Sequence, residues 1–168
     1  MTDQTELETS DQDTRAKEII RKHMMYSMAG GAIPIPIVDL AAVTAVQLDM
    51  LKQLAATYDV RLDAKSTRAF VTSLTSTLAG ATLARVGASL MKIVPGVGTL
   101  AGGATQVVVT GASTYAVGNL FKRLFKENRS IDDLDVQSVK DEFLSYFEAG
   151  KERALSLKDK VADKVRRN

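Results

Sequence analysis

Residues 93–121 form an uninterrupted run without a charged side chain, and this run restricts the fold more than any other feature of the sequence. Its 29 positions exceed the roughly 20 helical residues that cross a lipid bilayer. A second uncharged run covers residues 69–84. Both runs are rich in glycine, alanine, serine and threonine, so they are only mildly apolar. Such segments predict helices that pack closely together or enter a membrane.

The charges around these runs support both interpretations. Basic residues border the runs on their outer sides, at Lys65 and Arg68 and at Lys122, Arg123, Lys126 and Arg129. In a helical hairpin these flanks would lie on the same side. Basic residues on one side match the excess of lysine and arginine in the cytoplasmic loops of membrane proteins. Against insertion, an arginine at the centre of a membrane helix costs roughly 2.5–3.5 kcal/mol, and Arg85 lies between the runs. A membrane-associated domain and a soluble bundle with a small-residue core both remain open.

Composition predicts an all-α protein. Hydrophobic residues make up 45% of the 168 positions but aromatic residues only 5%, so alanine, valine, leucine and isoleucine dominate. Alanine and leucine favour helices. The chain has no cysteine, which excludes disulfides and thiolate metal sites. Its net charge of +2 does not indicate a nucleic-acid partner.

Periodicity and helix breakers predict five helices. Their expected bounds are about 14–29, 40–57, 66–92, 99–126 and 133–167. Pro34 and Pro36 interrupt the chain after the first helix, and Asp39 then stands where a helix N-cap is expected. Pro95 and Gly96 form a second interruption.

The predicted architecture is two Pro/Gly-broken helical hairpins followed by a C-terminal amphipathic helix. An offset of 59 residues pairs Pro36 with Pro95 and Gln47 with Gln106, so the hairpins are interpreted as an internal repeat. We expect a disordered acidic N-terminus over residues 1–14, a helical-hairpin core over 15–127, and the amphipathic helix with its basic tail over 128–168.

Small residues recur at helical spacing in the two central helices. A glycine inside a helix costs roughly 1 kcal/mol relative to alanine, so these positions are predicted to allow close helix packing or interaction with a partner. They are Gly80, Ala84, Ala88, Gly98, Gly102, Gly111 and Gly118.

No catalytic apparatus is recognisable. Residues 96–102 place their third glycine one position late for a dinucleotide-binding loop, and no phosphate-binding Gly-Lys-Ser/Thr occurs. His23 is the single histidine and is predicted to lie at the surface or core edge. We predict a protein that is not an enzyme and uses no cofactor or metal ion. Asp39 is a candidate buried carboxylate that pairs with Arg85, with helix capping as the simpler alternative.

Two motif segments resemble a bacterial family of domains of unknown function, family 697. The first is Gly-Gly-Ala-Ile-Pro-Ile-Pro-Ile-Val-Asp at 30–39, followed by Gln47 and Met50. The second comprises residues 92–98 and 114–118. The resemblance covers about residues 17–150. It implies YcjF-like membrane association and a GTPase partner acting in trans, since this chain carries no GTPase motif.

The leading hypothesis is therefore a membrane-associated helical interaction protein at or in the bacterial inner membrane, on its cytoplasmic side. Residues 151–168 carry seven basic and three acidic side chains, a balance that suits anionic lipid headgroups or an acidic partner. The alternative is a soluble homo-oligomeric scaffold in which the same small-residue stripes pack between subunits.

Overall fold

The structure, a computed structural model, describes residues 2–30, 36–87, 98–131 and 134–167, and side-chain surroundings for 8–30, 42–78, 106–131 and 134–167. Within these ranges the chain forms five helices and no strand, which confirms the all-α class. The helices are α1 (Thr2–Gly30), α2 (Pro36–Thr57), α3 (Ala64–Gly87), α4 (Gly98–Lys126) and α5 (Val136–Arg166).

Two helices begin earlier than the sequence predicted. The acidic segment 1–14 was expected to be disordered, but α1 is helical from Thr2. Ion pairs one helical turn apart, Asp11 with Arg15 and Asp13 with Lys17, stabilise this part of the helix. Helix α2 begins at Pro36. A proline fits the first position of a helix because the backbone N–H that it lacks would have no partner within the helix there. Asp39 therefore lies within the first turn and not at the cap position.

Helix α4 is the centre of the bundle. Helices α1, α2 and α5 pack directly against it, and α3 packs against α2 and α5. The ring of Phe121 on α4 meets Phe70 of α3 edge-on, with ring centroids 5.9 Å apart. A cleft lies between α1 and α5 and is lined by residues of α1, α4 and α5. The predicted pairing of α3 with α4 as a hairpin, and the internal repeat, stay predictions.

Helix α5 joins the core through a regular apolar stripe. Its N-cap is Asp135, whose carboxylate accepts a hydrogen bond from the backbone N–H of Gln137 at 3.2 Å. The buried side of α5 is formed by Val139, Phe143, Phe147, Gly150 and Ala154. The first half of α5 thus packs into the same core as the other four helices of the described chain.

Glycine sets the distance between α5 and α4. A Cβ atom added at Gly150 would lie 2.9 Å from both the Cα and the carbonyl oxygen of Ala112. These are backbone atoms, so they cannot move aside as the end of a flexible side chain can. The two helices therefore approach each other as closely as they do because position 150 lacks a side chain.

A cluster of lysines around Asp13 joins α1 to the end of α4. The Asp13 carboxylate lies 2.6 Å from Lys17 Nζ, 2.8 Å from Lys126 Nζ and 3.1 Å from Lys122 Nζ. The hydrogen bond from Lys126, followed by those from Lys17 and Lys122, holds the pKa of Asp13 well below its usual value. A carboxylate with a lowered pKa stabilises the folded state above its unfolded pKa.

Replacing Gly150 by alanine is expected to lower the free energy of unfolding by about 1–2 kcal/mol, because the clash with the Ala112 backbone outweighs the gain in helix propensity. Urea denaturation measures the change. Gly30→Ala is the matched control, since a Cβ there meets nothing within 4 Å. A Gly150→Ala protein as stable as wild type would contradict the close approach of α4 and α5.

Asp13→Asn is expected to lower the free energy of unfolding at neutral pH by about 1 kcal/mol, a value reduced by partial exposure of the site. The gap between the two proteins should narrow as the pH falls from about 4 towards the lowered pKa of folded Asp13, because the unfolded chain then binds a proton at this carboxyl that the folded protein does not. Chemical denaturation at several pH values measures this. Asp11→Asn, which removes a single exposed ion pair with Arg15, is the control and should change stability little at either pH. An equal effect of both substitutions would count against the cluster.

Candidate functional site

The charge-poor parts of four helices lie at one end of the bundle. Met28 of α1 lies at Gly111 of α4, whereas Asp13 lies at Lys126, so α1 and α4 are antiparallel. Gln47 of α2 reaches Ser113 on α4. Helix α3 begins beside the end of α4, where Asp63 and Arg129 line one small cleft, and its Phe70 contacts Phe121, so α3 also runs antiparallel to α4. The end of α1, the start of α2, the end of α3 and the start of α4 therefore lie together. We call residues 24–30, 36–48, 79–87 and 98–112 the charge-poor end.

The sequence of this end contrasts with that of the rest of the bundle. Within these four described ranges the only charged residues are Asp39 and Arg85, whereas residues 2–23 of α1 alone carry ten acidic or basic side chains. Two large apolar side chains at this end are exposed, Met25 at 43% and Tyr26 at 52%. Solvent-exposed apolar side chains together with missing charges are typical of a surface that contacts lipid or another protein.

Small polar side chains fill the interior of the same end. The hydroxyls of Ser27 and Thr114 are 2.7 Å apart, and Gln47 Nε2 donates to Ser113 Oγ at 3.2 Å and to Thr114 Oγ1 at 3.4 Å. Thr110 Oγ1 donates to the Ser27 carbonyl oxygen at 3.2 Å. All five residues are buried. We call them the polar seam, which ties α1, α2 and α4 together through directional bonds.

The second half of α5 passes the packed part of the bundle and is exposed. Leu157 is half-buried, but Val161 and Val165, which continue the apolar stripe of α5, are 58% and 73% exposed. After Leu157 the basic residues of α5 are Lys158, Lys160, Lys164 and Arg166, and Arg167 is the C-cap. A helix with an apolar stripe among basic side chains suits an anionic membrane surface.

The described ranges contain neither a membrane-spanning helix nor a metal-binding cluster. None of the helices there is both long and apolar enough to cross a bilayer. The same ranges hold no cluster of three histidine, aspartate or glutamate side chains placed to bind a metal ion.

Two of the predicted packing glycines have described surroundings. A Cβ at Gly118 would lie 2.8 Å from Ile20 Cγ1 and 3.1 Å from Met50 Sδ, so α1 and α2 both approach α4 there. A Cβ at Gly111 would lie 2.6 Å from Met28 Cγ. Both glycines face neighbouring helices of this chain.

The other predicted residues are placed only in part. Gly80, Ala84 and Arg85 belong to α3, and Gly98 and Gly102 to the first turns of α4, where side-chain surroundings are not described. Pro36 and Asp39 begin α2. Pro34, Ala88, Pro95 and Gly96 lie outside the described residues. The ion pair between Asp39 and Arg85 stays a prediction.

His23 lies at the edge of the core, one of the two positions expected for it. It is buried, with Nδ1 2.8 Å from the carbonyl oxygen of Ile19 and Nε2 3.0 Å from Oδ2 of the exposed Asp49. The hydrogen bond from His23 lowers the pKa of Asp49. Of the nearby methionines, Met24 and Met28 are buried and Met25 is exposed.

Sequence reasoning missed the polar seam as a structural unit. Gln47 and Thr114 each belong to one of the two motif segments, but no local pattern shows that these segments meet. The spacing of Thr110, Ser113 and Thr114 along one face of α4, in a run without charges, is the signal that could have suggested buried hydroxyl groups.

Thr114→Val is expected to lower the free energy of unfolding by about 1–3 kcal/mol at nearly constant side-chain volume, because it leaves the buried Ser27 hydroxyl without its Thr114 partner and leaves Gln47 Nε2 with Ser113 alone. Thermal and urea denaturation measure the loss. Thr72→Val is the control, since the exposed Thr72 hydroxyl bonds only to the Arg68 carbonyl of its own helix. If both variants unfold alike, the seam does not stabilise the bundle.

Comparison with known proteins identifies the family that the two motif segments resemble. The family model described as domain of unknown function (DUF697) matches residues 4–149. This match begins before residue 17, so the acidic N-terminal segment lies inside the family domain and not outside it as expected. The chain is also 31% identical over 148 residues to magnetosome membrane protein 22 of Magnetospirillum gryphiswaldense, covering 87% of this chain and 75% of that protein. No solved structure matches this chain.

The family model thus spans both motif segments, whose residues Gln47 and Thr114 meet in the polar seam. The chain belongs to the DUF697 family.

Proposed function

We propose that this protein is a non-enzymatic helical interaction protein that associates with the cytoplasmic face of a bacterial inner membrane. Its charge-poor end faces the membrane, and the basic second half of α5 lies along the anionic headgroups. The observation that carries the proposal is the collection of the charge-poor parts of four helices at a single end of the bundle.

The chemistry of this end fits a lipid surface. Met25 and Tyr26 are exposed there, and an aromatic ring with a polar tip is favourable at the level of the headgroups. Val161 and Val165 extend the apolar surface along α5, beside lysines 158 and 164. Each basic residue near an anionic bilayer contributes about 1 kcal/mol of attraction. That a relative is named a membrane protein also supports the proposal.

The alternative proposal is a soluble homo-oligomeric scaffold. The same exposed apolar side chains would then contact a second copy of the chain, and mass in solution would exceed that of the 18.1 kDa monomer. A GTPase partner in trans, which the family resemblance implied, would add to either function and stays a prediction.

The test is sedimentation of the full chain with lipid vesicles. The wild-type protein is expected to bind vesicles that contain anionic phospholipid and to bind neutral vesicles weakly. Val161→Asp combined with Val165→Asp should reduce binding to anionic vesicles at least about fivefold, because it removes the apolar surface and adds two negative charges. Salt should weaken wild-type binding as it screens the basic residues.

Ser145→Asp combined with Ala149→Asp is the matched control. It adds the same charges at the same spacing to exposed positions in the first half of α5, and vesicle binding should persist. Wild-type protein that stays unbound to every vesicle and is released from bacterial membranes by buffer alone would contradict the membrane proposal. Its mass in solution would then test the scaffold.

A further inference from the structure

The cleft between α1 and α5 combines cationic and apolar side chains over a floor formed by α4. It encloses about 520 Å³, within the roughly 300–1,000 Å³ of small-molecule sites. Five of its lining side chains are cationic, and Glu18 is the single carboxylate among the lining residues. Such a balance attracts an anion into a partly enclosed space, where the field of the cations is screened less than on an open surface.

Three of these cations have no acidic partner in the described part of the chain. Lys17 and Lys122 are paired with Asp13, but Arg21 on α1 and Arg153 and Lys160 on α5 form no ion pair there. Arg153 is held in place, since its guanidinium carbon lies 5.3 Å from the centroid of the Tyr115 ring. The unpaired cations therefore line one cleft from two different helices.

The rest of the cleft is apolar. Half-buried Tyr115 and Leu157 form its walls, and buried Ile20 and Met24 lie at its base. A free inorganic anion would leave these side chains without a partner. A ligand that satisfies both parts of the cleft carries a negative head and an apolar chain.

We propose that the cleft binds one molecule of an anionic amphiphile. Its phosphate or carboxylate head lies between Arg21, Arg153 and Lys160, and its hydrocarbon chain contacts Tyr115 and Leu157. A free lysolipid or fatty acid and a phospholipid taken from a bilayer share this chemistry. The inference goes beyond the proposed function and does not depend on it, because a monomeric ligand can occupy the cleft in the absence of any membrane.

The experiment is calorimetric titration of the full chain with lysophosphatidic acid below its micelle-forming concentration, without vesicles. Saturable binding of one molecule per chain is expected. Ser156→Glu, at an exposed position of the cleft lining, should weaken binding at least about tenfold by placing a carboxylate beside the head group. Arg21→Gln combined with Arg153→Gln should weaken it similarly.

Ser145→Glu is the control, because it makes the same substitution at an exposed position of α5 outside the cleft. It should leave the Kd unchanged, and circular dichroism should show that every variant is folded. Displacement of the bound ligand by phosphatidic acid vesicles would identify a bilayer phospholipid as the source, and its absence a free amphiphile. Lack of saturable binding, equal binding of neutral lysophosphatidylcholine, equally tight binding of inorganic phosphate, or an equal loss in Ser145→Glu would overturn the proposal.

Discussion

The fold depends on the burial of α4, a helix without a charged residue from Gly98 to Phe121. Such a helix has no charged side chain that water would solvate, and its small residues let neighbouring helices approach closely. Helix α5 packs against α4 at Gly150, where the lack of a side chain lets its backbone approach that of Ala112, and α1 and α2 approach α4 at Gly118. The glycines weaken the helix in isolation, so close packing by surrounding helices must offset that cost.

Close packing of small polar residues requires satisfied hydrogen bonds. In the polar seam, Ser27 and Gln47 each form a hydrogen bond with Thr114 on another helix, so their polar groups are satisfied. Apolar contacts alone would let helices slide past one another, whereas these bonds fix the register of α1 and α2 on α4. The aromatic contact between Phe70 and Phe121 performs the same positioning for α3.

Charge is separated along the bundle as a consequence of helix direction. The lysines around Asp13 lie at one end and the charge-poor parts of four helices at the other, with the basic half of α5 beside them. This asymmetry gives the molecule one end suited to water and one suited to contact with lipid or protein, and it supports the proposed role in association. The cleft beside Tyr115 includes Lys160 of the basic half of α5 and offers a further site for a small anionic ligand.

The sequence by itself determined the all-α class, the approximate positions of the breaks between helices, the motif segments of the family and the lack of recognisable catalytic motifs, because these follow from local periodicity and residue type. It did not determine where α1 begins, because the polar, acidic composition of residues 1–14 favours disorder whereas the i,i+4 pairs of Asp11 and Asp13 favour helix. Only the tertiary structure decided that Gln47 meets Thr114, that His23 is buried, and that Arg21 and Arg153 face one cleft. These are contacts between residues far apart in sequence, and packing fixes them through helix direction and rotation, which no local pattern encodes.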